Sequence, residues 1–419
     1  MTREESKAEG RRALVTGGAN GIGWAACRAL AKQGYRLALA DIDGNAARER
    51  AEALGEGHVA LAIDLTDRDA AAALPARAAA LLGGLDVIVN NAGVTDSSGR
   101  ALVELPQAAF DRLVDLNLSA VEAICEASRI VLAPGSAIVN LASGASFKPL
   151  ALRGPYSATK AGIAALTRAS RDSFAALGIG ISAVAPGYTR TPLVDELHRT
   201  GRVDLDKVIA GIPLGRMATP DDIASAIAFM ASPQGGVLAG ETILVDGGGL
   251  AGPAPAGAAP LAGSEADGRI AVIGASGMSA LSGWQDVVRM DDPAGLGSAG
   301  PLSAVIDMRG LMQPCTAGET LRRVRQTAVA CAAHPARTAN FSLLFVHGEG
   351  RDPGLAAATA AGGMLARTLA LEWAPAGMRV NAVAWRGAAV AGLEALCRYL
   401  ASDGAGMITG QEISAGLHP

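Results

Sequence analysis

Tyr156 and Lys160 stand four residues apart in the run YSATK, and that spacing puts both side chains on one face of a helix. A phenol titrating near 10 is a poor base at neutral pH, yet an ammonium one turn away, aided by any second cation beside it, favours the phenolate. Such a pair takes a proton from an alcohol as hydride leaves the carbon, or gives one to a carbonyl in reverse. The hydride then needs an acceptor. Residues 16–23, TGGANGIG, follow a β-branched run and open a helical pattern. Their N–H groups and the helix dipole face an incoming pyrophosphate. Gly17, Gly21 and Gly23 permit the tight turn and close approach, with Asn20 and Ile22 between them, so a nicotinamide dinucleotide is the expected cofactor.

Asp41 ends the next strand, where a carboxylate accepts both ribose hydroxyls and repels a 2′-phosphate. NAD is therefore expected rather than NADP, helix capping being the alternative role for Asp41. Asp64 and Leu65 end the third strand, at the edge where the adenine would lie, although Asp64 serves equally well as a turn residue. In the turn Asn90-Asn91-Ala92-Gly93, the residues Asn91, Ala92 and Gly93 are expected both to face the cofactor and to satisfy neighbouring strand ends through side-chain amides.

These residues need a frame. From residue 12, short β-branched runs alternate with longer Ala/Leu/Arg segments of helical period: RALVTG, a helix near 22–33, RLALAD, a helix near 44–54, HVALAID. Further strands are expected at 85–90, 136–141, 179–185 and 241–245, and the catalytic helix near 156–176. The rhythm predicts an α/β fold with a doubly wound parallel sheet of seven strands. Residues 251–268 are rich in Pro, Ala and Gly without apolar period, the composition of a linker. The expected organisation is thus a short N-terminal tail (1–10), a dinucleotide-binding domain (11–250), the linker, and a second, abridged Rossmann-like α/β domain (269–419). That last part repeats the first: IGISAVAPG matches MRVNAVAWRG, and ASPQGGVLAGETI matches ASDGAGMITGQEI. About thirty residues separate its first two clear strands, too few for two βα units.

Taken together, TGGANGIG, the 90–93 turn, Asn117, Ser143, YSATK, and Pro186-Gly187 with Thr191 make residues 11–249 resemble the short-chain dehydrogenase/reductase family. The resemblance implies Tyr156 as general acid/base, Lys160 as nicotinamide-ribose ligand and tuner of Tyr156, Ser143 as hydrogen-bond partner of the substrate oxygen, and Asn117 as holder of a relay water. It further implies that Pro186, Gly187, Thr189 and Thr191 contact the nicotinamide end of NAD. Residues 188–218 then form a substrate lid. Aligned through AVAPG and AVAWRG, Tyr156 falls on Leu355 and Lys160 on Thr359. The second domain is therefore expected neither to bind NAD nor to catalyse. It is expected instead to act as a pseudo-subunit through helices near 318–333 and 354–374, two chains pairing as a homodimer that imitates the family's tetramer.

For the substrate, Arg153 lies three residues before Tyr156, and Phe147, Tyr188 and Arg190 are candidates for the same cavity. An Arg there fits a carboxylate, phosphate or sulfonate; a plain exposed loop Arg is the alternative. The mixed-charge lid fits a small polar polyol, sugar or hydroxy acid. Two other readings stand beside it: a 3-oxoacyl-type carbonyl reductase, and a non-catalytic NAD-sensing scaffold. A formal charge of −4 over 419 residues provides no basic footprint for nucleic acid or an anionic membrane. The five histidines, His198 among them, form no ligand set, so no metal is expected. Scattered cysteines and a charged, unapolar start point to a reduced cytoplasmic protein.

Overall fold

The computed structural model of the protein describes residues 10–95, 98, 100–199, 201, 203–255, 268–274, 287–312, 316–334, 337–386 and 391–416. Residues 1–9 of the expected tail and 256–267 of the expected linker lie outside the described residues, as does 275–286. The chain divides into two compact units. One comprises Met1–Arg199 with Thr219–Leu244; the other comprises Thr200–Ala218 with Val245–Pro419. The division differs from the expected boundary, because Thr200–Ala218 and the stretch from Val245 group with the second unit. There Gly247 N donates to Met407 O at 3.0 Å and Leu214 N to Gly247 O at 3.3 Å.

The first unit runs β1 (Arg12–Thr16), α1 (Gly21–Lys32), β2 (Arg36–Asp41), α2 (Gly44–Leu54), β3 (Val59–Ala62), α3 (Arg68–Leu82), β4 (Val87–Asn90), α4 (Gln107–Val114), α5 (Ala120–Ser128), β5 (Ala137–Leu141), α6 (Gly154–Ala175), β6 (Gly180–Pro186), α7 (Pro192–Arg199), α8 (Leu205–Ala210), α9 (Pro220–Ala231) and β7 (Thr242–Val245). Its sheet has the order β3-β2-β1-β4-β5-β6-β7. The chain order reverses between β1 and β4, and a crevice opens outside the carboxyl ends of strands at such a reversal. Helices cover both faces of a parallel sheet, which is why β1, β4 and β5 read as almost unbroken apolar runs. α6 starts at Gly154, two residues before the expected start, with Pro155 in its first turn, where a missing N–H costs nothing. A π turn, Asp115–Ser119, separates α4 from α5.

The second unit continues with β8 (Arg269–Ile273), β9 (Val287–Met290), β10 (Leu302–Met308), α10 (Arg309–Met312), α11 (Ala317–Ala333), β11 (Arg337–Gly348), α12 (Pro353–Trp373), β12 (Arg379–Trp385), α13 (Ala391–Ala401) and β13 (Glu412–Ala415). Its order, β13-β12-β11-β10-β8-β9, is that of the first sheet without the β3 edge. The single strand β9 stands where the short spacing leaves room for one βα unit. With the turn that follows it, α12 (Pro353–Ala376) is long and apolar enough by composition to cross a membrane, with a mean hydropathy of 1.3. Its Gly362, Ala366 and Ala370 are nonetheless buried, and Ala366 and Ala370 belong to the second core.

His347, at the end of β11, is 5% exposed, and its Nε2 has no hydrogen-bond partner. Cβ atoms at Gly310 or Gly362 would crowd the ring, so glycine at both positions makes room for it. Burial pushes the imidazole down to about 4, against the opposing charge of Asp307. The unfolded chain binds this proton below about 6.5, the folded chain only below about 4, so stability falls as pH drops through that window. The expected loss is on the order of 3 kcal/mol. Urea titrations at pH 7 and pH 4.5 check it: His347→Gln should flatten the difference, and an unchanged slope would exclude His347 as its source.

Candidate active site

The glycine loop is built around contacts that side chains would break. Gly17 (φ 64) and Gly21 (φ 53) occupy the left-handed region, and a Cβ on Gly23 would collide with the carbonyl oxygen of Gly17. Asn20 is the N-cap of α1 but makes no side-chain cap hydrogen bond. By contrast, α2 and α3 are capped by Asp43 and Asp67. The first amides of α1 are thus left for an anion. Asp41 carries its carboxylate to this loop: Oδ2 accepts from Ala19 N at 3.0 Å, and Oδ1 from Asp43 N at 3.1 Å. Arg50 donates to Ala19 O at 3.2 Å and lies over the Trp24 ring at 4.9 Å.

Opposite the loop, Asn91 joins β4 to β1, its Nδ2 donating to Thr16 O at 2.9 Å and Gly17 O at 3.2 Å. The Thr16 hydroxyl accepts from Asn91 N and Ala92 N, each at 3.0 Å. The side chain of Thr16, the first residue of the glycine loop, thus ties that loop to the strand-end turn. Thr191 reaches back to the loop, its Cγ2 3.8 Å from where a Gly21 Cβ would lie. Thr189 donates to Gly187 O at 3.2 Å, just beyond Pro186 at the end of β6. At the end of β3, Asp64 Oδ1 accepts from both Thr66 N (2.9 Å) and Thr66 Oγ1 (2.8 Å), which holds its carboxyl below the usual range. It forms the turn after β3, and Leu65 beside it is buried.

At the carboxyl ends of β5 and β6, Ser143, Tyr156, Lys160 and Asn117 converge. Ser143 caps a 3-10 turn (Gly144–Ser146) and hydrogen-bonds the Tyr156 phenol. Lys160 is 5% exposed; its Nζ donates to Leu141 O at 2.7 Å and sits 6.0 Å from the Tyr156 ring centroid. The π turn brings in Asn117, fully buried. Its Oδ1 accepts from Val94 N at 2.9 Å, its Nδ2 donates to Val94 O at 2.8 Å, and Thr159 Oγ1 lies 3.4 Å away. Π turns are frequent at functional sites because they re-aim one side chain of a helix. A Cβ on Gly93 would touch both Asn117 Oδ1 and Lys160 Nζ, at 3.1 and 3.4 Å.

Burial raises the Tyr156 phenol; the Ser143 hydrogen bond and then the charge of Arg153 pull the other way. Burial also pushes the Lys160 ammonium down, to about 8. Among the substrate candidates, Phe147 and Tyr188 are 46% and 47% exposed. Arg190 is occupied by Asp195 at 3.3 Å. Arg153 is the half-buried N-cap of α6.

Residues 17–249 match the family model described as enoyl-(acyl carrier protein) reductase. The chain belongs to the short-chain dehydrogenase/reductase family. Cis-4-hydroxycyclohexanecarboxylate dehydrogenase of Sinomonas cyclohexanicum is 44% identical over 244 residues, 57% of this chain and 96% of that one. Short-chain type dehydrogenase/reductase y4vI of Sinorhizobium fredii is 38% identical over 250 residues, 59% of this chain, and the match spans 45% of that protein's own length. A short-chain dehydrogenase from Burkholderia cenocepacia J2315, solved in complex with NADP, superposes with a TM-score of 0.54 at 30% identity, covering 58% of this chain and all of that one. The chain is thus an oxidoreductase of a family that uses nicotinamide cofactors, its matched part being residues 17–249.

Proposed function

We propose that the first unit interconverts a secondary alcohol and a ketone, with NAD as the hydride carrier. The observation that carries this reading is the convergence of Tyr156, Ser143, Lys160 and Asn117 beside a glycine loop whose helix is left uncapped. The loop fits a pyrophosphate, and bound NAD supplies the carbon that accepts hydride. Tyr156 takes the alcohol proton at its phenolic oxygen, Ser143 holds the substrate oxygen, and Lys160 lies one turn along α6 to hold the ribose. Asn117, bound on both sides by Val94, keeps the strand-end loop in place beside Lys160. Asp41 favours NAD: its carboxylate lies at the loop and repels a 2′-phosphate, and the residue after it, Ile42, is exposed and uncharged.

A carbonyl reductase acting on 3-oxoacyl groups is the second reading, favoured by the family description of the matched model. A scaffold that only senses NAD has no need of the intact Tyr156–Lys160 pair. We further propose that the second unit is a non-catalytic partner domain. Where Lys160 reaches Leu141 O, the second unit has Thr359 donating to Gly348 O at 2.7 Å. A cytoplasmic homodimer, with neither nucleic acid nor membrane as partner, completes the proposal; light scattering after gel filtration checks the assembly.

The deciding experiment follows reduction of NAD and, separately, NADP by the full chain against hydroxy acids, polyols, sugars and 3-hydroxyacyl thioesters. NAD should be preferred by about 100-fold or more, and Asp41→Ala should shrink that preference at least tenfold by removing the like-charge repulsion. Equal use of both cofactors by the unaltered chain would refute the assignment of Asp41. No reduction of either would refute the dehydrogenase reading.

A further inference from the structure

We propose that Arg153 determines substrate choice, and that the alcohol handled by this site carries a carboxylate on an otherwise apolar frame. The inference rests on the dehydrogenase reading above and narrows its substrate. Arg153 is the N-cap of α6, at φ −135° and ψ 32°, three residues before Tyr156. Its carbonyl accepts from Ser157 N at 2.9 Å, so the backbone is tied into the helix. The guanidinium is not tied: among the described residues no hydrogen bond or ion pair engages it. Arg190, on the segment after β6, is by contrast matched with Asp195 at 3.3 Å. A half-buried guanidinium without an anion is a fork of donors awaiting one, and a carboxylate is its planar, bidentate match. Arg153 lies one turn before Tyr156 at the start of α6, and its charge lowers the phenol.

Exposed apolar side chains stand on the loops that follow β5 and β6. Phe147 follows β5, Leu152 precedes α6 and Tyr188 follows β6, and all three large side chains are exposed, between 46% and 53%. Leu152 is the one described non-glycine residue with positive φ, at 61°. Strain of that kind persists where the surrounding structure holds a loop in a particular shape. Sugars and open polyols would leave the three surfaces unmatched, whereas a cyclic or branched hydroxy acid covers them, presents its hydroxyl to Ser143 and Tyr156, and places its anion on Arg153. The carboxylate is unchanged in the reaction: the carbinol hydrogen leaves as hydride to NAD, the hydroxyl proton goes to Tyr156, and the product is the keto acid with NADH.

The test compares cis-4-hydroxycyclohexanecarboxylate with its carboxamide as substrates of the full chain with NAD. The acid should be favoured in kcat/KM by about 10- to 150-fold, most of it in KM, as expected for a charged hydrogen-bonded pair. Arg153→Gln should reduce that ratio to within about threefold of unity, and Arg153→Lys should recover part of it. Calorimetry with cyclohexanecarboxylate, which has no hydroxyl to oxidise, provides a second readout: binding to the unaltered protein, and loss of binding in Arg153→Gln at an unchanged melting temperature. Equal use of acid and amide, or a proportional fall for both in Arg153→Gln, would overturn the role of Arg153. Oxidation of polyols with both cyclohexane substrates ignored would overturn the substrate class and spare the dehydrogenase reading. Silence with every alcohol would overturn both.

Discussion

Tyr156→Phe is expected to lower kcat by about 10²- to 10⁴-fold, the contribution of a positioned proton donor or acceptor, while NADH binding stays within about twofold. The ring keeps its volume, so α6 packs as before, and Lys160 still has Leu141 O to donate to at 2.7 Å. What disappears is the hydroxyl bonded to Ser143. Its removal takes away the phenolic oxygen that accepts and returns the substrate proton, while Ser143 and Lys160 remain. The measurement is turnover of the full chain beside a fluorescence titration with NADH. Loss of turnover with binding retained would also show that the second unit contributes no activity of its own. Turnover at the unaltered rate would place the chemistry elsewhere.

The parts of this site that were legible in the sequence are those where one residue type is required by a local cause. A glycine at 23 is demanded by the Gly17 carbonyl against which it packs, and a Tyr–Lys spacing of four is demanded by the helix. The seven-strand sheet followed from alternation because strands buried on both faces leave an unmistakable apolar run. Less was legible where the cause is tertiary. The π turn that delivers Asn117 has no local signature, since α4 and α5 flank it with ordinary helical sequence. The turn that Asp64 makes with Thr66 depends on how the loop after β3 folds, which spacing alone does not reveal. β9 was missed because it is a short edge strand, only partly buried and carrying the exposed Arg289, so it lacks the apolar run that marks the others. Charge spacing around Tyr156 is visible in sequence, whereas burial, the largest influence on the phenol in the protein alone, is not.

Replacing Arg379 by methionine should destabilise the second unit by roughly 3–5 kcal/mol, the cost of removing one member of a buried charged network. Arg379 lies in β12, 2% exposed, and is the largest fully buried side chain among the described residues. Its guanidinium donates to five carbonyls: Leu400 at 2.8 Å, Ala405 and Ser402 at 3.1 Å, and Asn340 and Ala401 at 3.5 Å. Leu400 and Ala401 end α13, so the side chain satisfies carbonyls that the helix leaves orphaned, and its charge meets the negative end of the helix dipole. Burial pushes the guanidinium down to about 10, against the attraction of Asp403, and it remains charged at neutral pH. The matching residue in the first sheet, by the AVAPG and AVAWRG register, is Gly180. It lines a cavity of about 200 Å³ with Gly135, Gly178, Gly235 and Gly236. One sheet leaves space where the other places a cation, so methionine at 379 removes the donors without the backbone having another way to satisfy those carbonyls. Calorimetry of the full chain should show a transition lowered by about 10 °C, with NADH binding by the first unit unaffected at temperatures below it. An unshifted transition would mean that the five carbonyls are satisfied by water and that Arg379 contributes packing alone.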